Sequence, residues 1–361
     1  IGTPADIDWL HLLGGDAQVL ADFAFADLVL WTPTTDDSFI AVGHARPSSA
    51  ATLFYRDFVG QRIRAEWRSQ VAAAYESGEI IDSTSPAWYE ETPTRVRTVP
   101  VVRPPRKDLG ETESKVIAVI SLHTNLSENR SPSRHELMLN ACAVDLFDMV
   151  AAGAFPIPDA APAPRRGAPR PSDGTIRIDS DGIVTFASPN AMSGFTRLGF
   201  PDELEGEILA EVSSRILSGK LDADEALPVV VTGRAAWRAD IETRGVTISL
   251  RAIPTVRAGE RTGAIILSRD VTEQRSQELE LITKDATIRE IHHRVKNNLQ
   301  TVASLLRMQS RRSKSAETKE NLDQAMRRVA AIAMVHDSLS SGLAQDVNFD
   351  EIFDRVLMLA T

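Results

Sequence analysis

Two adjacent histidines, His292 and His293, stand in the run Glu290-Ile291-His292-His293-Arg294-Val295-Lys296-Asn297-Asn298-Leu299-Gln300, with no metal-ligand spacing around them. Apolar residues recur at Ile288, Ile291, Val295, Leu299, Val302, Leu305 and Leu306. Steps of three and four predict an α-helix with one apolar stripe. With Ile291 as origin and about 100° per residue, the stripe stays within roughly 80° of one line, while His293 falls at ~200°, Asn297 at ~240° and Glu290 at ~260°. His293 therefore faces solvent, with a carboxylate one turn before it and an amide one turn after. His292, at ~100°, lies at the edge of the stripe and reads as a flank residue. A free imidazole, ordinarily titrating at about 6.5, is a competent neutral nucleophile near pH 7. Displayed among polar groups, it suits chemistry done on it by another molecule. Accepting a phosphoryl group would give a labile P–N bond suited to onward transfer. Glu290 could orient the ring or take its proton, and Asn297 could position a phosphoryl oxygen or a water.

The helix that must present His293 is predicted to be long. From Glu273 to Leu299 neither glycine nor proline interrupts the chain, and Leu279, Ile282 and Ala286 form an apolar run of the same three-and-four spacing ahead of Ile288 and Ile291. After a polar stretch from Arg311 to Glu320, a second stripe reads Leu322, Met326, Val329, Ala333, with Ser315 placed as its N-cap and Glu317 in its first turn. His336, on the flank of that stripe, reads as a satisfied core histidine and not as a second phosphosite. Each helix can bury only one stripe. Two such hairpins would close a four-helix bundle, which predicts a homodimer.

EIHHRVKNNLQTVASLLRMQSRR resembles the phosphoacceptor helix of sensor histidine kinases of the HisKA_2 class, related to the HWE kinases, and RRVAAIAMVHDSLS resembles the second helix of the same hairpin. The resemblance covers roughly Leu279 to Leu359. It implies that His293 is the phosphoacceptor, that ATP and Mg2+ act through an ATP-binding domain, and that a response-regulator aspartate receives the phosphoryl group. Regulators paired with this class often carry RNA-binding antiterminator outputs. One departure is Arg294, which follows the histidine where the commoner kinases place an acidic residue. That leaves Glu290 as the nearby carboxylate. The asparagine helix and D-x-G-x-G turn of an ATP-binding domain do not occur in these residues, and the chain starts at Ile1 without an initiator methionine. The expectation is a fragment ending before that domain, able to accept phosphate but inactive in autophosphorylation and with no cofactor of its own bound.

The overall class expected is multidomain α+β. Residues 1–150 mix β-like runs (DFAFADLVLW, FIAVGHAR, KVIAVISLHTN) with helical ones (EWRSQVAAAYESG, SPSRHELMLNACAVDLFDMVA), suggesting an α/β sensor of GAF type. The ARPSSAATLFYRDFVG region resembles the sensor domain of actinobacterial members of the class. His44, Arg46, His123 and His135 are too scattered in sequence for a metal site and read mostly as surface or loop residues. Residues 151–173, AAGAFPIPDAAPAPRRGAPRPSD, read as an extended Pro/Ala-rich linker without a core. In 174–272, TIRIDSDGIVTFASPNAMSGFTRLGF resembles the opening of a PAS domain, and VTISLRAIPTV and RTGAIILSRDVTE its closing strands. Asp270 and Thr272 sit in the exit motif Arg269-Asp270-Val271-Thr272, which would couple the sheet to the outgoing helix. No haem or flavin attachment residue stands out. Residues 273–361 complete the division as signalling helix plus dimerisation and phosphotransfer hairpin.

The formal net charge of −10 lies wholly in the first 275 residues, since 12 basic and 12 acidic residues balance from Ser276 onward. An acidic sensor argues against direct nucleic-acid binding. Around His293, Arg289, Arg294 and Lys296 form a basic patch suited to phosphate or to an acidic partner surface. No run of about 18 apolar residues suggests a membrane span. The single cysteine, Cys142, reads as a small core residue and suits a reducing cytoplasm. A cytoplasmic sensor would answer to a diffusible small molecule. The competing expectation is a non-catalytic, kinase-like dimeric scaffold that regulates a partner without phosphotransfer.

Overall fold

The computed structural model describes residues 2–106, 110–127, 131–158, 160, 167–217 and 224–341, and for 334–341 the backbone alone. The chain divides into two compact units, Ile1–Thr272 and Glu273–Thr361.

The first unit opens with α1 (Pro4–Ala24), started by a capping box in which Thr3 and Asp6 satisfy each other's backbone N–H groups. Strands β1 (Asp27–Pro33) and β2 (Phe39–Ala45), α2 (Ala65–Ser77), and strands β3 (Ile81–Asp82), β4 (Ala87–Tyr89), β5 (Thr92–Arg103) and β6 (Lys115–Asn125) follow. Helix α3 (Arg134–Ala151) has its own capping box, Ser133 with Glu136. The strands form an antiparallel sheet ordered β2-β1-β6-β5-β3, with β4 also on β5. Alternation along each strand sends residues to two different cores. Leu28, Leu30 and Ile120 pack under α1 and α3 with Leu146 and Phe147, while Val29, Trp31 and Val119 pack with Phe54, Phe58 and Trp67 on the other side.

A second lobe contains β7 (Thr175–Asp179), β8 (Val184–Ala187), α4 (Pro189–Leu198), α5 (Leu209–Leu217), α6 (Leu227–Val231), β9 (Arg238–Thr243), β10 (Val246–Arg257) and β11 (Glu260–Asp270). The turn of its first hairpin is set by Asp179, whose carboxylate accepts from the N–H groups of Asp181 and Ile183, and by Gly182 at φ 86°. Its antiparallel sheet is ordered β8-β7-β11-β10-β9. One face packs under α4, α5 and α6, and the other contributes Phe186, Ile253, Ile265 and Leu267 to the core of α1 and α3. The two helices thus lie between two sheets. Ion pairs stitch the same seam: Arg251 to Asp16 at 2.6 Å, Arg177 and Arg257 to Asp145, and Arg134 to Glu205 at 2.7 Å.

In the second unit, α7 (Thr272–Arg312) is one unbroken helix and α8 (Ala316–Ser341) follows a three-residue turn. Ser315 caps α8 by accepting from the Thr318 N–H, as its position predicts.

Four sequence expectations need correction. The run Asp22–Trp31 is not one strand, because α1 continues to Ala24 and Phe25 then takes a left-handed turn at φ 49°. Helix α1 and strand β5 were not anticipated. The segment 151–173 is not wholly a coreless linker: Phe155, 1% exposed, is part of the shared core, with Ala154 and Ile157 against it. His44 and His123 are not surface residues, since both rings are enclosed beside Phe54. Cys142 is buried as expected, and burial pushes its thiol up to about 12. No helix among the described residues is long and apolar enough to cross a membrane.

Candidate functional site

Helix α7 carries His293 on an exposed position, and His292 beside it is half-buried, the division that the helical wheel predicts. No residue of α7 is buried. Glu290 does not lie idle next to the imidazole. Its Oε1 accepts from Arg294 Nε at 3.0 Å and Nη2 at 2.5 Å, so the carboxylate expected to serve His293 is engaged one turn along by the arginine that departs from the commoner pattern. Asn297 is exposed, its backbone carbonyl taken by the Thr301 hydroxyl at 2.9 Å and its amide side chain directed outward on the face of His293. On the hairpin's inner side, the Ser310 hydroxyl donates to Asp323 at 3.1 Å, linking α7 to α8. Leu322, Met326, Val329 and Ala333 are half-buried, in keeping with their stripe. His336 lies in α8, but its side chain is outside the described residues.

Asp270 and Thr272 do meet. The Thr272 hydroxyl donates to Asp270 Oδ1 at 2.6 Å and accepts from the Thr247 N–H at 2.9 Å, while the Thr272 N–H donates to the same carboxylate oxygen at 3.0 Å. Arg197 of α4 pairs with the other oxygen of Asp270. The end of β11, the start of β10 and α4 are thereby clamped to the first residue of α7. This clamp borders a cavity of about 210 Å³ lined by Asp173, Asn190, Arg197, Arg269 and Asp270.

A third cluster lies within the N-terminal lobe. Trp31 Nε1 donates to Ser121 Oγ at 2.7 Å, and Ser121 Oγ lies 2.9 Å from His123 Nε2. Burial pushes the His123 imidazole down to about 3. Asp27, 1% exposed, accepts from the Thr52 hydroxyl at 2.6 Å and the Leu53 N–H at 2.7 Å. Its burial would raise the carboxyl, but those donors and the neighbouring His44 ring outweigh it and hold the group below the usual carboxylate range. The Arg64 guanidinium rests 4.9 to 5.7 Å above the rings of Tyr89, Trp67 and Phe58. Sequence reading missed this enclosure. The signal was the two-residue spacing of Val119, Ser121 and His123, which puts all three on one face of β6. Among the described residues no group of His, Cys, Asp and Glu side chains is arranged to hold a metal.

Two families match this chain, the GAF domain of the histidine kinase PdtaS over residues 3–143 and the histidine kinase segment HisKA_2 over residues 290–360. Sensor histidine kinase PdtaS of Mycobacterium tuberculosis is 41% identical over 357 residues, which cover 97% of this chain and 70% of that protein. PdtaS of Mycolicibacterium smegmatis is 40% identical over 359 residues, with the same coverage. The solved sensor region of a sensor histidine kinase superposes with a TM-score of 0.59 at 32% identity, covering 76% of this chain and 95% of that one. The acidic N-terminal lobe is thus a GAF-like sensor, and the exposed His293 with its half-buried neighbour His292 sits in a histidine kinase segment. The chain belongs to the PdtaS sensor histidine kinases, the protein-histidine kinases of two-component signalling.

Proposed function

We propose that His293 is the residue phosphorylated, and that α7 and α8 are the dimerisation and phosphotransfer hairpin of residues 273–361. The observation that carries this is the solvent-facing position of His293 beside a half-buried His292, in the segment matched by HisKA_2. ATP with Mg2+, held by an ATP-binding domain outside these residues, supplies the phosphoryl group. An aspartate of a response-regulator receiver domain takes it onward, and resemblance to this kinase class implies a regulator with an RNA-binding antiterminator output. Arg289, Arg294 and Lys296 give the face its affinity for phosphate or an acidic partner. Asn297 positions a phosphoryl oxygen or a water, and Glu290 supports the imidazole when Arg294 releases it.

Residues 174–272 fit a PAS domain in strand order and in the Asp270–Thr272 exit clamp, with 1–150 as the GAF-like sensor and 151–173 as the connection. The apolar stripe of α7 supports a homodimer. Ile291 is 53% and Leu305 53% exposed, and a second hairpin would cover both in a four-helix bundle. A diffusible small molecule acting on the sensor lobes would bias the clamp and, through the unbroken α7, access to His293. The cytoplasmic location rests on the lone, buried Cys142. Incubating the chain with a separately expressed ATP-binding domain and γ-labelled ATP tests the assignment. Label is expected in the wild type and in His292→Gln and absent in His293→Gln. Label that survives His293→Gln removes the residue from the mechanism.

A further inference from the structure

The seam between the two sensor lobes carries more positive charge than its carboxylates match. On the face of the second sheet that meets α1 and α3, Arg177 and Arg257 share Asp145. Arg251 takes Asp16, and both of these side chains are largely enclosed, at 12% and 15% exposure. Arg238 stands directly opposite Arg251 in the β9–β10 register. Like charges facing each other across a ladder repel. The Nε and Nη1 atoms of Arg238 are buried and have no hydrogen-bond partner. Native structures seldom leave such donors alone, and a guanidinium is the costliest kind to strand.

The three groups form an unbalanced cluster: two cations, one carboxylate, and two buried, unused donors on the half-buried Arg238 guanidinium. Burial first, and then the neighbouring Arg251, pull the Arg238 guanidinium down to about 10, with Asp16 opposing. Water could satisfy the donors but could not cancel the charge. An anion would do both.

We propose that the seam between α1 and the β9–β10 edge binds one small oxyanion, a carboxylate or a phosphate, between Arg238 and Arg251. Guanidinium groups match the geometry of both ligands. An ion there ties the first lobe, through Arg251 and Asp16, to the outer strand of the second. The packing of the lobes then depends on ligand. The inference concerns Ile1–Thr272 alone and stands whether or not His293 is phosphorylated.

The test is thermal unfolding of the whole chain in chloride, in inorganic phosphate, and in acetate or succinate, at fixed pH and ionic strength. A saturable rise in Tm over the chloride value is expected in the phosphate arm or in the carboxylate arm, and the arm that saturates at lower concentration names the ligand class. Arg238→Met should unfold at higher temperature than the wild type in chloride, because it removes a stranded charge, and should need at least tenfold more anion for any rise. Arg238→Lys, which keeps the charge with fewer donors, should bind more weakly than wild type by threefold or more, and it serves alone if Arg238→Met does not fold. No rise over chloride in any arm overturns the site. So does an equal rise in the Arg238 variants.

Discussion

The two units use their apolar residues in opposite ways. In Ile1–Thr272, Leu146, Phe147, Ile120 and Phe195 are sealed in cores built by the chain itself. In α7, a helix of 41 residues, none is buried, and Leu279 and Ile282 are each 64% exposed. Isolated helices draw little stability from propensity alone, so α7 depends on what covers its stripe. The contrast suits the two tasks. A sensor must hold a fixed interior that a ligand can perturb. A phosphoacceptor must keep one imidazole reachable by successive visitors, which an enclosed core would forbid.

The sharpest way to test that separation is to damage each unit alone. Phe147→Ala, in the core shared by both lobes, should cost the sensor about 3–5 kcal/mol. The sensor's denaturant midpoint would drop while the helical signal of α7 and α8 is retained. Ile291→Ala should leave the sensor transition within about 0.5 kcal/mol of wild type, as a surface substitution outside it does. A midpoint that moves as far for Ile291→Ala as for Phe147→Ala would abolish the distinction.

Acid should distinguish the units as well, through His123. Its folded-state value is depressed by burial to about 3, so below the unfolded value of about 6.5 the unfolded chain binds a proton that the folded one refuses. Stability of the sensor is therefore intact above about pH 6.5 and falls as pH drops towards 3, by roughly 2 kcal/mol at pH 5. His123→Gln should flatten the slope between pH 6.5 and 5, measured by urea unfolding at each pH. Asp6 acts in a lower window. Burial would raise its carboxyl, but the Thr3 N–H, Arg103 and Lys115 hold it near 2, so its contribution is full above about 3.9 and disappears as pH falls through 2. An unchanged slope in His123→Gln would show that another group controls the upper window.

Much of the second unit was legible because a solvent-facing helix obeys one period. The wheel placed His292 and His293 correctly from spacing alone, and Ser315 announced the start of α8. The sensor lobes were harder to read. Phe155 sits among prolines and alanines whose composition signals a linker, yet a single aromatic ring suffices to anchor that turn in the core. His44 and His123 lie far apart in sequence, and only the pairing of β1 with both β2 and β6 brings their strands to the same face. Arg238 and Arg251 were invisible for a similar reason, since their opposition depends on the β9–β10 register. Glu290 shows the limit on the helix itself. Helical spacing offered the carboxylate both His293 and Arg294, and the guanidinium fork takes it.

Where the units join in sequence, smaller effects separate stability from signalling. Thr272→Val keeps the shape of the side chain but strands the Thr247 N–H and frees one oxygen of Asp270 from its hydroxyl partner. The loss should be about 1 kcal/mol in the sensor transition. The amount of label on His293 should also cease to depend on conditions that shift the sensor. If label stays regulated, the clamp is only a strand-end cap. Glu290→Gln should have the smallest effect on folding, under about 0.5 kcal/mol, because its pair with Arg294 is exposed on both sides. Its effect on chemistry discriminates more strongly. With the carboxylate gone, the labelling rate of His293 should fall, whereas Arg294→Ala, which releases Glu290 towards the imidazole, should raise it. Equal rates in wild type and both variants would remove Glu290 from the site and leave His293 to be activated by groups that arrive with the nucleotide.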